Sequence, residues 1–272
     1  MSEHFFDQAV ALQPDGDNAF RGAAHPAWAN MVGPFGGITA ASALNGVLSH
    51  PKLLGVPIAL TVNYAAALGA GPYRLAAVPV RTNRSTQHWT LAMTQPGADG
   101  AEETVLTATA VTAVRRDTWS QNDQPMPAAP PPQEAERLTP FGVEWLLRYD
   151  MRPVHGIVPS TWDGRGDHSL TQLWVRDEPG RPLDFLSLAS LADVFYPRVW
   201  LRRATRVPAG TVSITTYFHA DAAMLARTGT GYLFGQAQAQ AFRNGFFDQT
   251  AQLWNEGGEL LATSHQIVYY KE

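Results

Sequence analysis

The 272-residue chain contains no cysteine. This excludes a disulfide framework, a thiolate nucleophile and a Cys-ligated zinc, and it fits a reducing compartment. Basic clusters are missing too. With 20 Lys and Arg against 24 Asp and Glu, the net charge is -4 and the pI ≈ 6.1, so nothing provides the electrostatic footprint of a nucleic-acid binder. No apolar run reaches the roughly 18 residues of a membrane span, and the N-terminal MSEHFFDQAV has neither a basic nor an apolar leader region. The expectation is a soluble cytoplasmic protein with no nucleic-acid or membrane partner. G-x-S-x-G, P-loop, G-x-G-x-x-G and H-E-x-x-H signatures are all lacking, which removes the α/β-hydrolase, NTPase, dinucleotide-enzyme and zincin readings. Ser49 and Lys52 spell S-x-x-K, but Pro51 breaks the helix that would bring them together. Asn83-Arg84-Ser85 matches a glycosylation sequon, which carries no meaning without a secretion signal.

What is present is alternation. From Pro57 to Arg116 the apolar period is two, in PIALTVNYAA, YRLAAVPVRTN, STQHWTLAMTQ and ETVLTATAVTAVRR, with a turn at Pro96-Gly97-Ala98-Asp99-Gly100. This predicts a four-stranded antiparallel meander. Ahead of it, HFFDQAVALQ and NAFRGAA flank Pro14-Asp15-Gly16-Asp17 and read as a hairpin, and Gly33-Pro34-Phe35-Gly36-Gly37 opens a small-residue helix that ends before Pro51. Glycines at a helix start allow close backbone approach, and the free N–H groups there favour anions. The segment TWSQNDQPMPAAPPPQEAE is Pro-rich and poor in large apolar residues, as expected of an extended linker.

The same plan follows the linker. GVEWLLRYDMRPVHG and SLTQLWVRDE read as strands, and TVSITTYFHA, GYLFGQAQAQAFRN, FFDQTAQLWN and ELLATSHQIVYYK as four more. Between the two groups, Leu183 to Tyr196 reads as one long helix closed by Pro197. Leu183, Phe185, Leu186, Leu188, Leu191, Val194 and Phe195 leave it almost no polar face, so it should be wrapped on several sides. PIALTVNYAA stands beside TVSITTYFHA, and ETVLTATAVTAV beside ELLATSHQIVYY, as local echoes of an internal duplication. The expected fold is therefore α+β. Residues 1–118 form one repeat, 119–137 the linker and 138–272 a second repeat, each an antiparallel sheet wrapped around one apolar helix.

A helix wrapped by an antiparallel sheet, in tandem, resembles the double hotdog fold of the acyl-CoA thioesterase II family. The segments that carry the resemblance are Phe20–Gly22, Phe35–Gly37, Leu173–Arg176, Leu191–Pro197, Thr211–His219 and Leu260–Gln266, in the family's order. In that family an Asp on the second helix, a Thr at the start of the next strand and a Gln on the last strand hold the hydrolytic water. The resemblance puts Asp193, Thr211 and Gln266 in those roles, with an acyl-CoA substrate and no metal or other cofactor. Departures in the flanks, Val194-Phe195-Tyr196, Ser213-Ile214-Thr215 and His265, concern the acyl-chain preference more than the chemistry.

The residue types suit the task. An aspartate at its ordinary pKa of about 3.9 is a poor base, and burial in an apolar helix would raise it. A hydroxyl and a neutral amide can orient a water without adding charge. Gly36 and Gly37 are candidates for polarising the thioester carbonyl through their backbone N–H groups. Aligning Ala41–Asn45 with Ala189–Asp193 sets Asn45 opposite Asp193, which predicts a base in the second repeat alone. His219 and His265 are read as structural. Two rivals remain: an acyl-CoA binding or sensing protein without turnover, and a hotdog enoyl-CoA hydratase or dehydratase, whose Asp-x-Asn-Pro-x-His type motif is missing here. Open sheet edges predict at least a homodimer.

Overall fold

The computed structural model describes residues 3–97 and 99–272, so Ala98, part of the turn expected over Pro96–Gly100, lies outside the described residues. The chain divides into two compact units. One comprises Met1–Trp119, Pro140–Arg148 and Asp184–Ser190, the other Ser120–Thr139, Tyr149–Leu183 and Leu191–Glu272.

The first unit contains α1 (Phe5–Val10), β1 (Gln13–Pro14), β2 (Ala19–Ala24), α2 (Gly36–Leu48), β3 (Val56–Tyr64), β4 (Gly71–Thr82), β5 (Thr86–Pro96) and β6 (Glu102–Ala113). Its strands are antiparallel in the order β1-β2-β4-β5-β6-β3. Two expectations are corrected here. HFFDQAV is a helix, because Phe6, Ala9 and Val10 recur at helical spacing on its buried side. The meander is three-stranded, with β3 paired to β6 on the side away from β4, so the first strand after the helix returns beside the last. The small residues of α2, among them Ala40, Ala41, Ala43 and Gly46, are buried, and a Cβ at Gly46 would meet Leu75 of β4 at 2.6 Å.

The second unit contains β7 (Tyr149–His155), β8 (Thr171–Asp177), the C-terminal end of α3 (Phe185–Leu191), α4 (Arg198–Arg203), β9 (Ala209–Phe218), α5 (Ala222–Thr228), β10 (Leu233–Gln238), β11 (Phe242–Arg243), β12 (Phe246–Asn255) and β13 (Leu260–Tyr270). Its order is β9-β13-β12-β10-β8-β7, with β11 on β12. The strand expected over GVEWLLRYDMRPVHG begins only at Tyr149, after a 3-10 turn at Glu144–Arg148, and the stretch expected to form one strand before Asn244 is split into β10 and β11. The long helix expected over Leu183–Tyr196 is corrected as well. Asp184 caps α3 by accepting from Ser187 N at 2.8 Å, the helix ends at Leu191, and a second helix starts after Pro197. Proline lacks the N–H, and its ring would collide with the carbonyl of Asp193 in a continued helix, so the run must unwind before it.

Laid side by side, the two strand orders are the same path. β3 matches β9, β6 matches β13, β5 matches β12, β4 matches β10 and β2 matches β8. The irregularities match too. Val105 of β6 and Leu261 of β13 are each an extra residue against the neighbouring strand, and each carbonyl accepts two backbone N–H groups, from Ala65 and Ala66 at 3.0 and 3.1 Å and from His219 and Ala220 at 2.9 Å. A shared bulge at a shared place is the mark of duplication.

The Pro-rich segment is seated on the second sheet. Trp174, Phe234 and Trp254 face each other across β8, β10 and β12, and with Tyr232 and Ala135 they form a buried cluster against Met126, Ala129, Val154 and Leu260. Two of its carbonyls accept indole N–H groups, Pro130 from Trp174 at 2.8 Å and Gln124 from Trp254 at 3.2 Å. Prolines donate nothing, so this backbone lies on an aromatic face without needing acceptors in return. Asp150 fastens the segment's end. Only 2% exposed, it accepts from Arg152 Nε and Nη2 at 3.1 Å and from Tyr232 Oη at 2.5 Å, while Arg152 Nη1 donates to Pro132 O at 2.9 Å. Burial raises its pKa, but the Arg152 and Tyr232 hydrogen bonds outweigh burial and hold the carboxyl below the usual range.

Asp150→Asn should lower the unfolding free energy by about 2–3 kcal/mol at neutral pH, the scale of hydrogen bonds to a buried carboxylate whose arginine partners stay partly exposed. Because the folded pKa is depressed, that contribution is present above the unfolded pKa of about 3.9 and is lost as pH falls through the folded value. Urea titrations of the two proteins should differ by a constant amount down to about pH 4 and converge below it.

Candidate functional site

Asp193 lies in the turn that follows α3, not within the helix, and is half-buried. Thr211 is on β9 and Gln266 on β13, which pair along most of their length. The three side chains meet in series. Thr211 Oγ1 donates to Gln266 Oε1 at 3.1 Å, and Gln266 Nε2 donates to Asp193 Oδ1 at 2.8 Å. Gln266 is 4% exposed, so both ends of its amide require partners, and these two contacts fix which end points where.

A bulge makes the series reachable. Gln266 sits opposite Ile214, and Ser213 opposite Ile267, but Thr211 sits opposite Val268, which leaves Val212 as the extra residue. In a regular strand Thr211 would face away from Ile214 and Gln266. The extra residue brings it to the inner face and leaves Val212 37% exposed. The equivalent strand of the first unit has the same bulge, at Ile58 between Pro57 and Ala59. Matching the two registers sets Pro57 in the place of Thr211 and Ala110 in the place of Gln266. The first repeat therefore has the geometry and lacks both polar side chains. Asn45, matched to Asp193 by sequence, donates its amide to Val10 O at 2.7 Å and accepts from Ser49 Oγ at 3.0 Å, which ties α1 to α2.

Gly36 and Gly37 open α2 in the first unit, and no side chain caps this helix start. Gly36 O accepts from Tyr64 Oη at 2.8 Å. A Cβ at Gly37 would stand 2.5 Å from Ser190 O and from the Phe35 ring, so glycine is needed there for close backbone packing. Phe35 itself stacks on Trp145 with centroids 4.2 Å apart. The two histidines read as structural have strand neighbours as partners: His219 Nε2 contacts Thr263 Oγ1 at 3.1 Å and His265 Nε2 contacts Asp248 Oδ2 at 3.3 Å. Among the described residues no group of three or more His, Asp or Glu is arranged to hold a metal, and no helix is long and apolar enough to cross a membrane. Sequence reasoning missed one polar residue of this neighbourhood. Ser264, two residues before Gln266 and on the same inner face, donates Oγ to Ala192 O at 3.2 Å.

A strand order whose two halves follow one antiparallel path, with helices between the strands, defines the tandem hotdog class. Comparison with known proteins goes further. Residues 25–113 match the family described as acyl-CoA thioesterase N-terminal domain and residues 120–270 the acyl-CoA thioesterase C-terminal domain. The chain belongs to this acyl-CoA thioesterase family, a family of thioester hydrolases. Among solved structures it is similar to a hot-dog-fold protein of unknown function from Alicyclobacillus acidocaldarius, at 46% identity and TM-score 0.93 over 100% of this chain and 99% of that one. The tesB protein of Mycobacterium avium subspecies paratuberculosis aligns at 18% identity and TM-score 0.78, over 99% of this chain and 100% of that one. Acyl-CoA thioesterase II TesB2 of Mycobacterium marinum aligns at 18% and 0.76, over 98% of each chain. At 18% identity the likeness shows the fold. No curated protein matches.

With Pro57, Ala110 and Asn45 at the matched positions, the first repeat has no copy of the polar trio, and the expected ligand stoichiometry is one per chain. Calorimetric titration with a non-hydrolysable acyl-CoA analogue should saturate at one equivalent, and two equal sites would contradict the asymmetry. Asn45→Ala should keep turnover while losing about 1 kcal/mol of stability with the hydrogen bond to Val10.

Proposed function

We propose that the protein hydrolyses an acyl-CoA thioester to free CoA and a carboxylic acid, through a water activated by Asp193 with Thr211 and Gln266. The observation that carries this reading is the Thr211–Gln266–Asp193 series. Thr211 has given its only proton to Gln266, so toward a water it can only accept. The Asp193 carboxylate accepts as well. A water that donates one hydrogen to each has both protons engaged, and its lone pair is free to attack the thioester carbon. Attack passes a proton to Asp193 and forms a tetrahedral oxyanion. Its collapse breaks the C–S bond, and the proton returns to the departing thiolate.

Neutral Gln266 supplies orientation and leaves Asp193 the charged member of the trio. We assign polarisation of the carbonyl to the amides of Gly36 and Gly37, an assignment supported by the uncapped start of α2 and the positive end of its dipole. A cytoplasmic setting and homo-oligomerisation belong to the same proposal. The first is supported by the cysteine-free chain and the second by β7, which ends the second sheet.

Asp193→Asn keeps the volume and the hydrogen bond from Gln266 within reach, so the variant should fold. Its turnover should fall about 100-fold or more, the scale of a lost general base. Free-thiol release from a panel of acyl-CoAs reads this directly, and a chain without cysteine gives the reagent no protein background. A wild-type rate in the variant would remove Asp193 from the mechanism. Binding without thiol release by the wild-type protein would point instead to an acyl-CoA sensor.

A further inference from the structure

We infer that Ser264 and Arg198 are positioning residues that hold the Asp193 turn at its two ends, an inference that rests on the hydrolytic reading of Asp193. The turn runs from the end of α3 at Leu191 to Pro197, and one long backbone bond, from Val194 N to Leu191 O at 3.4 Å, spans Asp193 within it. At its near end, Ser264 Oγ donates to the carbonyl of Ala192, the residue before Asp193, at 3.2 Å. Ser264 and Gln266 alternate along β13 on one face, so a single strand grips both the backbone beside the carboxylate and the carboxylate itself. At the far end, Arg198 is 0% exposed and donates Nε and Nη2 to Tyr196 O at 2.8 and 2.5 Å. Its Nη1 donates to Ser169 O at 3.0 Å, Thr171 Oγ1 at 2.7 Å and Ala237 O at 3.4 Å. The guanidinium thus spans the turn and strands β8 and β10 through carbonyl and hydroxyl oxygens.

The duplicated scaffold shows that Ser264 is not a requirement of the fold. Register matching sets Ala108 of β6 in its place, beside Ala110 in the place of Gln266. Where the first repeat has no base to hold, the same inner-face positions are apolar. Serine and glutamine are found together on the strand that meets Asp193.

The test is a mutant cycle on the full chain. Ser264→Ala installs the residue the first repeat already uses there, so it should fold. It should lower kcat about tenfold with KM changed less than about twofold, because sub-ångström loss of position is felt in the chemical step. In the Asp193→Asn background the same substitution should change kcat less than about twofold, since its effect passes through the carboxylate. Arg198→Lys, which keeps the charge and loses the fork, should likewise reduce kcat more than it raises KM. A wild-type kcat in Ser264→Ala, or an equal fold-loss in both backgrounds, would overturn the inference while leaving the role of Asp193 intact. A wild-type rate in Asp193→Asn would overturn the hydrolytic reading itself, and the inference with it.

Discussion

Alternation is the constraint on which the site depends. A strand shows successive side chains to opposite faces, so residues on neighbouring strands can share a face only if their registers agree in parity. Thr211 is three residues from Ile214, the partner of Gln266, and by parity belongs on the outer face. Val212 supplies the one extra residue that reverses this. The price is a valine exposed on the outer side, which alternation would otherwise have buried. The same irregularity in β3 shows that the bulge belongs to the scaffold, and in the second repeat it brings Thr211 to the face of Gln266.

Gln266 then acts as the electrical spacer of the trio. A second carboxylate in its place would repel Asp193, and a lysine or arginine would neutralise it. An amide does neither and still uses one acceptor and one donor, in an order that Thr211 and Asp193 dictate. Its burial matters, because an unsatisfied amide at 4% exposure costs about 1–3 kcal/mol, and this ties the geometry of the series to the stability of the sheet.

The sheets were legible because β5, β6, β9, β12 and β13 alternate cleanly between apolar and polar residues, and the duplication because the strands after each helix and the last strands echo each other. Other elements hid behind ambiguous patterns. HFFDQAV fits both periods when read for Phe5 and Phe6, and only Phe6, Ala9 and Val10 at helical spacing give it away. The unwinding after Leu191 was announced by Pro197, whose influence reaches back a full turn rather than one residue. Asp221, capping α5 by accepting from Met224 N at 2.7 Å, is a signal of the kind that marks helix starts. Trp174 and Trp254 were readable as strand residues but not as a platform, because the Pro-rich segment that covers them lies outside any periodic pattern. Asp193 stood out as a charge in an apolar run, whereas the grouping of Thr211 and Gln266 with it was expected from the family resemblance alone. Neither bulge has a local sequence signature, and without the bulge the parity of Thr211 argues against it.

The asymmetry of the repeats follows from the cost of buried polarity. Inner-face positions of a hotdog sheet pack on a helix, and a polar side chain there must find a partner or forfeit its solvation. In the second repeat the turn that carries Asp193 offers partners to Ser264 and Gln266, and Gln266 in turn offers one to Thr211. In the first repeat α2 continues as a helix to Leu48, and its backbone carbonyls are engaged within the helix. A serine or glutamine at Ala108 or Ala110 would have no turn to meet, and Pro57 could not be replaced to advantage by a hydroxyl with nothing to receive its proton. Helix continuity and apolar strand positions therefore come together in one half, and helix interruption and polar strand positions in the other. The early end of α3 is the condition under which Gln266 can be buried with both ends of its amide engaged.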